Sequence, residues 1–208
     1  VQSTYVLCNA AQASRKRGVA LFASSAEGVS IESRRMMDLH SAGSIRLDGV
    51  PAADIIWLTG DDVEGGIQQT FDQATIVLAA EMMGSAREVL ERTVAHLGER
   101  EQFDVKLGTF QALQHRCAHM YCDLELAESA VLAALTALDH AAPNVSLLAS
   151  SAKALANDCF TLISSEAVQL HGGMGVTEEM DIGLFLKRSR VCNQLLGSSS
   201  YHLSLIHI

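Results

Sequence analysis

Three glycines in four positions, Gly172, Gly173 and Gly175, interrupt a chain whose apolar pattern is helical on both sides of them. Within a helix each glycine costs about 1 kcal/mol against alanine. Such a run therefore marks either a helix end followed by a tight turn, or a place where something flat and polar approaches the backbone closely. Upstream, apolar residues recur at helical spacing from about residue 68 to 97, through Phe71, Ile76, Met82, Met83, Val89, Leu90, Val94 and Leu97. The stretch 76–83 is apolar nearly all round apart from Glu81, which predicts a helix deep inside a bundle. Thr109, a good N-cap, predicts a second helix running to about Asp139. Pro143-Asn144 marks the loop before a third, Val145 to Leu170, and a shorter fourth runs from Thr177 to about Leu196. Four helices with short connections predict an up-down four-helix bundle.

The first sixty residues follow a different period. Val19-Ala20-Leu21-Phe22-Ala23 reads as a buried strand, Val29 to Glu32 alternates, and Ser44 to Asp48 places Ile45 and Leu47 on one face before Gly49-Val50-Pro51. Strands with Gly/Ser punctuation predict part of an antiparallel barrel or sandwich, and the regime changes after Gly65-Gly66. The expected fold class is α+β: a partial antiparallel β-domain over 1–64, the helical bundle over 65–202, and an apolar tail of doubtful origin over 203–208. The opening Val1 to Leu7 reads as mid-strand, so further sequence is expected upstream.

A formal net charge of −9, with basic residues scattered apart from Arg15-Lys16-Arg17 and Lys187-Arg188-Ser189-Arg190, argues against a nucleic-acid partner. No run approaches the roughly 18 apolar residues of a membrane span. Five cysteines in neither CxxC nor metal-ligand spacing predict reduced thiols and a cytoplasmic setting.

Chemistry gathers at two places. Arg100 falls in the turn between the first two helices, where a guanidinium either grips a phosphate through paired hydrogen bonds or stands solvated. Gln111, in the first turn of the next helix, lies beside backbone N–H groups that favour an anion. These segments, Phe71-Asp72 to Ala80, Arg100-Glu101-Gln102-Phe103, Phe110-Gln111-Ala112-Leu113-Gln114, Gln169-Leu170-His171-Gly172-Gly173 and the strand ending Leu47-Asp48-Gly49-Val50-Pro51, resemble in order and spacing the C-terminal half of the acyl-CoA dehydrogenase family.

That resemblance implies an FAD-dependent α,β-dehydrogenation of an acyl-CoA thioester, with electrons passed to an electron-transferring flavoprotein, and a dimer or tetramer in which FAD bridges subunits. By position, Arg100 would hold the FAD pyrophosphate of a neighbouring subunit, Phe103 would pack against the flavin, and Gln111 would bond the phosphate or ribitol region. Gln169, Leu170, His171, Gly172 and Gly173 would line the adenosine half, and Ser198 stands where a threonine usually touches FAD. Asp72 matches an acyl-CoA-binding aspartate. The pattern from Glu178 to Arg188 looks most like the pimeloyl-CoA and steroid-side-chain dehydrogenases, often mixed assemblies.

The chain departs from the family at the chemistry itself. The usual carboxylate base is replaced by Leu196, and the alternative base position by Ala74; neither can take a proton. Thr75 stands in place of a family arginine, and Asp104 in place of the glycine after the Arg-x-x-Phe motif. The resemblance thus leaves a base-less, FAD-sharing subunit of a hetero-oligomer, an unusual base such as Asp72 or one upstream, or a displaced alignment around Gly197. His115 and His119 share a helix face without an identifiable third ligand, so no metal is expected. Cys117 and Cys122 read as core thiols, Met82-Met83 as bundle filler, and His171 as a backbone-packing residue or an adenine contact.

Overall fold

Only two prolines punctuate this chain. Between Pro51 and Pro143 nothing removes a backbone N–H, and helix α1 runs unbroken over Val63–Glu99, 37 residues. The computed structural model describes residues 5–11, 17–60, 62–177 and 179–206. The start of the expected opening strand, the Arg15-Lys16 part of the basic cluster, Glu178, and His207 and Ile208 lie outside them. Residues 1–70 and 71–208 form two compact units, divided within α1.

In the first unit β1 (Tyr5–Ala11), β2 (Arg17–Ala23) and β5 (Ile56–Leu58) make an antiparallel sheet in the order β1-β2-β5. Strands β3 (Val29–Arg35) and β4 (Ser41–Leu47) pair as a hairpin. Val6, Ala20 and Phe22 form a small core, with Val29, Ile31, Ile55 and Trp57 packed against it. Residues 19–23 are thus a half-buried strand and not the fully buried run expected: Ala20 and Phe22 turn inward while Val19, Leu21 and Ala23 remain partly exposed. Ile45 and Leu47, opposite Ile31 and Val29, are about half exposed.

The second unit continues α1 with a short hairpin, β6 (Glu101–Gln102) and β7 (Val105–Lys106), then α2 (Gln111–Asp139), α3 (Val145–Leu170), α4 (Ile182–Gln194) and α5 (Ser199–Ile206). Its core takes Ile76, Ala79, Met82, Met83, Val89 and Leu90 from α1, Met120, Leu124 and Val131 from α2, and Phe160 and Ile163 from α3. Val77, on the far side of α1, is exposed, so even the most apolar stretch keeps an outward face. Ion pairs fix the register of neighbouring helices. Arg87 bonds Glu128 and Glu125 at 2.8 and 2.9 Å, Arg116 bonds Glu166 at 2.6 Å, and Arg188 bonds Glu81 at 2.8 Å.

Several boundaries differ from expectation for identifiable reasons. Gly65 and Gly66 lie in the first turn of α1 and not ahead of it. Thr109 does not cap α2: its hydroxyl donates to the Lys106 carbonyl at 2.7 Å, and the helix begins at Gln111 without a side-chain cap. The fourth helix starts five residues later than expected, because Gly172–Val176 forms a 3-10 turn and Thr177 turns back to bond the Met174 carbonyl. Cys122 is exposed, whereas Cys117 packs against the core. Replacing the fully buried Phe160 with alanine is expected to lower unfolding free energy by about 3–5 kcal/mol, read from urea titration.

Candidate functional site

Helix α1 ends at Glu99, and the chain reverses at once. The Arg100 amide donates to the His96 carbonyl at 2.8 Å, and its own carbonyl accepts from the Leu107 amide at 2.9 Å, closing the β6–β7 hairpin. Gln102 pairs with Val105, so the loop has only two residues, Phe103 and Asp104, at φ of 59° and 60°. Two successive left-handed residues match the strand twist in such a turn, a geometry that normally draws Asn-Gly. Phenylalanine and aspartate hold it here, and Phe103 is 85% exposed at the tip, edge-on to Phe110 with ring centres 6.3 Å apart. Gly108 pins the returning chain: a Cβ there would sit 3.1 Å from the Leu97 carbonyl oxygen. Its carbonyl accepts from the Gln114 side chain at 2.8 Å, securing the start of α2 and the exposed Gln111. The Arg100 guanidinium forms no ion pair among the described residues.

At the far end of α3 the glycine run ends the helix in a tight turn. Gly172, directly after the C-cap His171, adopts φ 61° as helix-terminating glycines do. A Cβ on Gly172 or Gly173 would meet nothing within 4 Å, so no neighbouring group crowds this backbone. Gly175 is different: a Cβ there would lie 2.5 Å from the Val168 carbonyl oxygen, so glycine alone lets the turn close on α3. Gln169 is exposed, whereas the Leu170 side chain is buried in the core and can offer a ligand only its backbone. The buried His171 ring bonds the Ala167 carbonyl through Nδ1 at 2.8 Å.

One contact unites these two corners. The His96 and His171 rings stack with centres 4.2 Å apart and planes 24° from parallel. Arg100, Phe103, Gln111 and Gln169 to Gly173 consequently share one end of the bundle. His96 carried no sequence motif, and only its place four residues before Arg100 could have singled it out.

The remaining predicted residues lie elsewhere. Asp72 is buried and accepts from the Ser146 hydroxyl at 2.5 Å, beside the first turn of α3. Twenty-eight positions at 1.5 Å each put it roughly 40 Å along α1 from Arg100. Ala74 is exposed near the same end, and Thr75 is buried. Leu196 and Gly197 form a turn at φ 58° and 111°, and Leu196 packs partly on the core. Ser198 opens α5, its Oγ accepting the Tyr201 amide at 3.4 Å as an N-cap. His115 and His119 are exposed on α2, and no cluster of three metal-ligating side chains occurs among the described residues. A cleft of about 350 Å³ between α1 and α2 contains none of the predicted site residues; of the two charged residues on its wall, Arg87 and Glu91, the arginine is paired with Glu125 and Glu128.

Two consequences are measurable. Asp104→Gly, by relieving a left-handed non-glycine residue, should raise stability by about 0.5–1 kcal/mol in denaturant titration. Burial, then His171 and Arg100, hold the His96 imidazole below its ordinary 6.5. The folded chain thus binds fewer protons than the unfolded chain below that value, so stability should fall as pH drops through 6.5. Thermal melts between pH 7.5 and 5 should show this acid limb diminished in His96→Gln.

The profile of the acyl-CoA dehydrogenase C-terminal domain matches residues 65–207. Among curated proteins, the acyl-CoA dehydrogenase IpdE2 of Mycolicibacterium smegmatis is 39% identical over 138 residues, 66% of this chain and 41% of that protein. A variant of the Tcur3481-Tcur3483 steroid ACAD superposes with a TM-score of 0.87 at 29% identity, covering 99% of this chain and 54% of that one. The ChsE4-ChsE5 complex from Mycobacterium tuberculosis shares the fold at a TM-score of 0.86 and 24% identity, over 99% of this chain and 55% of that one. The chain thus spans about half the length, or less, of the proteins it matches.

Proposed function

Because this chain belongs to the acyl-CoA dehydrogenase family, we propose that it is a subunit of an oligomeric, FAD-dependent enzyme that removes hydrogen from Cα and Cβ of an acyl-CoA thioester. In this reading it supplies cofactor-binding surface, while another subunit supplies the base. The observation that carries it is the joining of the Arg100 corner and the open Gly172-Gly173 backbone through the His96–His171 stack.

The residues present suit a dinucleotide. A guanidinium at a helix corner, in no ion pair among the described residues, answers a pyrophosphate, and two glycines whose Cβ positions stand in open space admit a flat group. The strained, exposed Phe103 offers a ring to a partner's flavin. When bound, FAD supplies the hydride acceptor. The chain's own part is to hold it, with Arg100 and Gln111 at the phosphates, Phe103 at the ring and the backbone of 169–173 at the adenosine; at a second, separate site Ser198 would touch FAD and Asp72 would bind the acyl-CoA.

That second site lacks a proton acceptor at either family position, since Leu196 is apolar and partly buried and Ala74 carries no polar atom. Likeness to proteins named as a steroid ACAD and as a two-component complex supports a steroid-derived CoA thioester and a mixed assembly. An electron-transferring flavoprotein would reoxidise the flavin. Five cysteines in neither CxxC nor metal-ligand spacing favour a reducing, cytoplasmic setting.

The full-length protein should be assayed with FAD and acyl-CoAs, alone and with a candidate partner. Yellow, FAD-bound assembly and turnover only with the partner are expected, and Arg100→Ala should weaken FAD binding by about 10–100-fold. Turnover by the lone homo-oligomer, or FAD affinity indifferent to Arg100→Ala, would overturn this reading.

A further inference from the structure

The least expected residue in the bundle is a lysine. Lys153, on α3, is wholly inaccessible to solvent. Among the described residues its ammonium bonds no carboxylate and donates instead to Asn157 Oδ1 at 2.7 Å, the Cys192 carbonyl at 3.0 Å and the Gly197 carbonyl at 3.1 Å. Burial holds its pKa down to about 8. A buried charge costs free energy that an apolar side chain of the same shape would not, so its position needs a reason.

All three acceptors lead toward one short segment. Cys192 is in the last turn of α4, where a cation completes the helix end. Gly197 lies three residues beyond the end of α4, and its carbonyl also accepts from the Asn157 amide at 3.3 Å. The preceding carbonyl, of Leu196, accepts from the buried His202 ring on α5 at 2.9 Å. A further turn along α3, Asp158 accepts from Ser199 at 2.6 Å. Side chains from two helices thus hold 196–199 in a conformation unfavourable to leucine. At Gly197 the enclosure is tight, since a Cβ would come within 2.5 Å of the Tyr201 ring and 2.8 Å of His202 Nε2.

We propose that Lys153 is a positioning residue: with Asn157 and His202 it clamps the carbonyls of Leu196 and Gly197, so that the 196–198 turn is a preformed seat against the cofactor whatever side chain position 196 carries. This rests on the functional reading above for the identity of what the seat faces. The clamp grips backbone alone, so loss of a carboxylate at 196 leaves the turn's shape intact.

The test uses the full-length, FAD-loaded assembly and Lys153→Met, which keeps the volume and removes the charge. Melting temperature should hold or rise, while amides at 195–199 exchange hydrogen at least about tenfold faster and the FAD dissociation constant rises at least about tenfold. A purely structural lysine would not separate these readouts. His202→Phe, which removes the bond to Leu196 alone, should repeat the pattern more weakly and serves in place of the first variant if that fails to fold. Unchanged exchange at 195–199 in a folded variant overturns the clamp. Faster exchange with unchanged FAD affinity overturns the positioning role. A wild-type assembly that binds no FAD sinks the functional reading and takes this inference with it, an outcome distinct from wild-type binding that is indifferent to both substitutions.

Discussion

Burial of α3 is the condition to which the rest of the helical unit conforms. Between Ser150 and Phe160 only Leu155 and Asp158 are exposed, and alanines at 149, 152, 154, 156 and 167 let neighbouring helices approach closely. A helix so enclosed tolerates polar side chains only where they find partners. Ser164 bonds Ser189 on α4 at 2.9 Å, and Lys153 reaches the end of α4 and the turn beyond it. These polar contacts specify where α4 and α5 dock, since apolar packing alone would accept several rotations of each helix.

The surface ion pairs act differently. Exposed pairs typically contribute about 0–1 kcal/mol each, so Arg87 with Glu125 and Glu128, and Arg188 with Glu81, set register more than stability. The histidine stack is structural in another sense. It joins the last turn of α1 to the last turn of α3, and it is what makes an arginine corner and a glycine turn neighbours although some seventy positions separate them in sequence.

Much of this was legible in the chain because local chemistry and tertiary need agreed. Helix α3 has the bounds that Pro143-Asn144 and the glycine run imply, and Gln111 stands where the helix begins. Elsewhere a second interaction won. Gly65 and Gly66 mark a change of period in the sequence, but glycines in the first turn cost little when the helix runs on to Glu99. Thr109 turned its hydroxyl backward to Lys106, leaving α2 uncapped. The apolar tail from residue 203 lacks a clear amphipathic period, yet through Ile206 it belongs to α5, a helix that Ser198 caps and whose His202 is drawn under the preceding turn. Lys153 gives no signal at all and His96 only its place four residues before Arg100: a lone histidine and a lone lysine in helical runs read as solvated surface, and three-dimensional neighbours reveal otherwise.

The length of α1 has a consequence for how such proteins diversify. With Asp72 at one end and Arg100 at the other, a single copy would, under the function proposed above, reach into two reaction centres too distant to influence one another sterically. On the proposed reading, after gene duplication one paralogue can forfeit the chemistry at its own centre and still complete its neighbour's. Division of labour then requires little more than one altered side chain on an unaltered turn, and the cofactor stoichiometry of the descendant complex can drop to one per pair of chains without any new interface having to evolve.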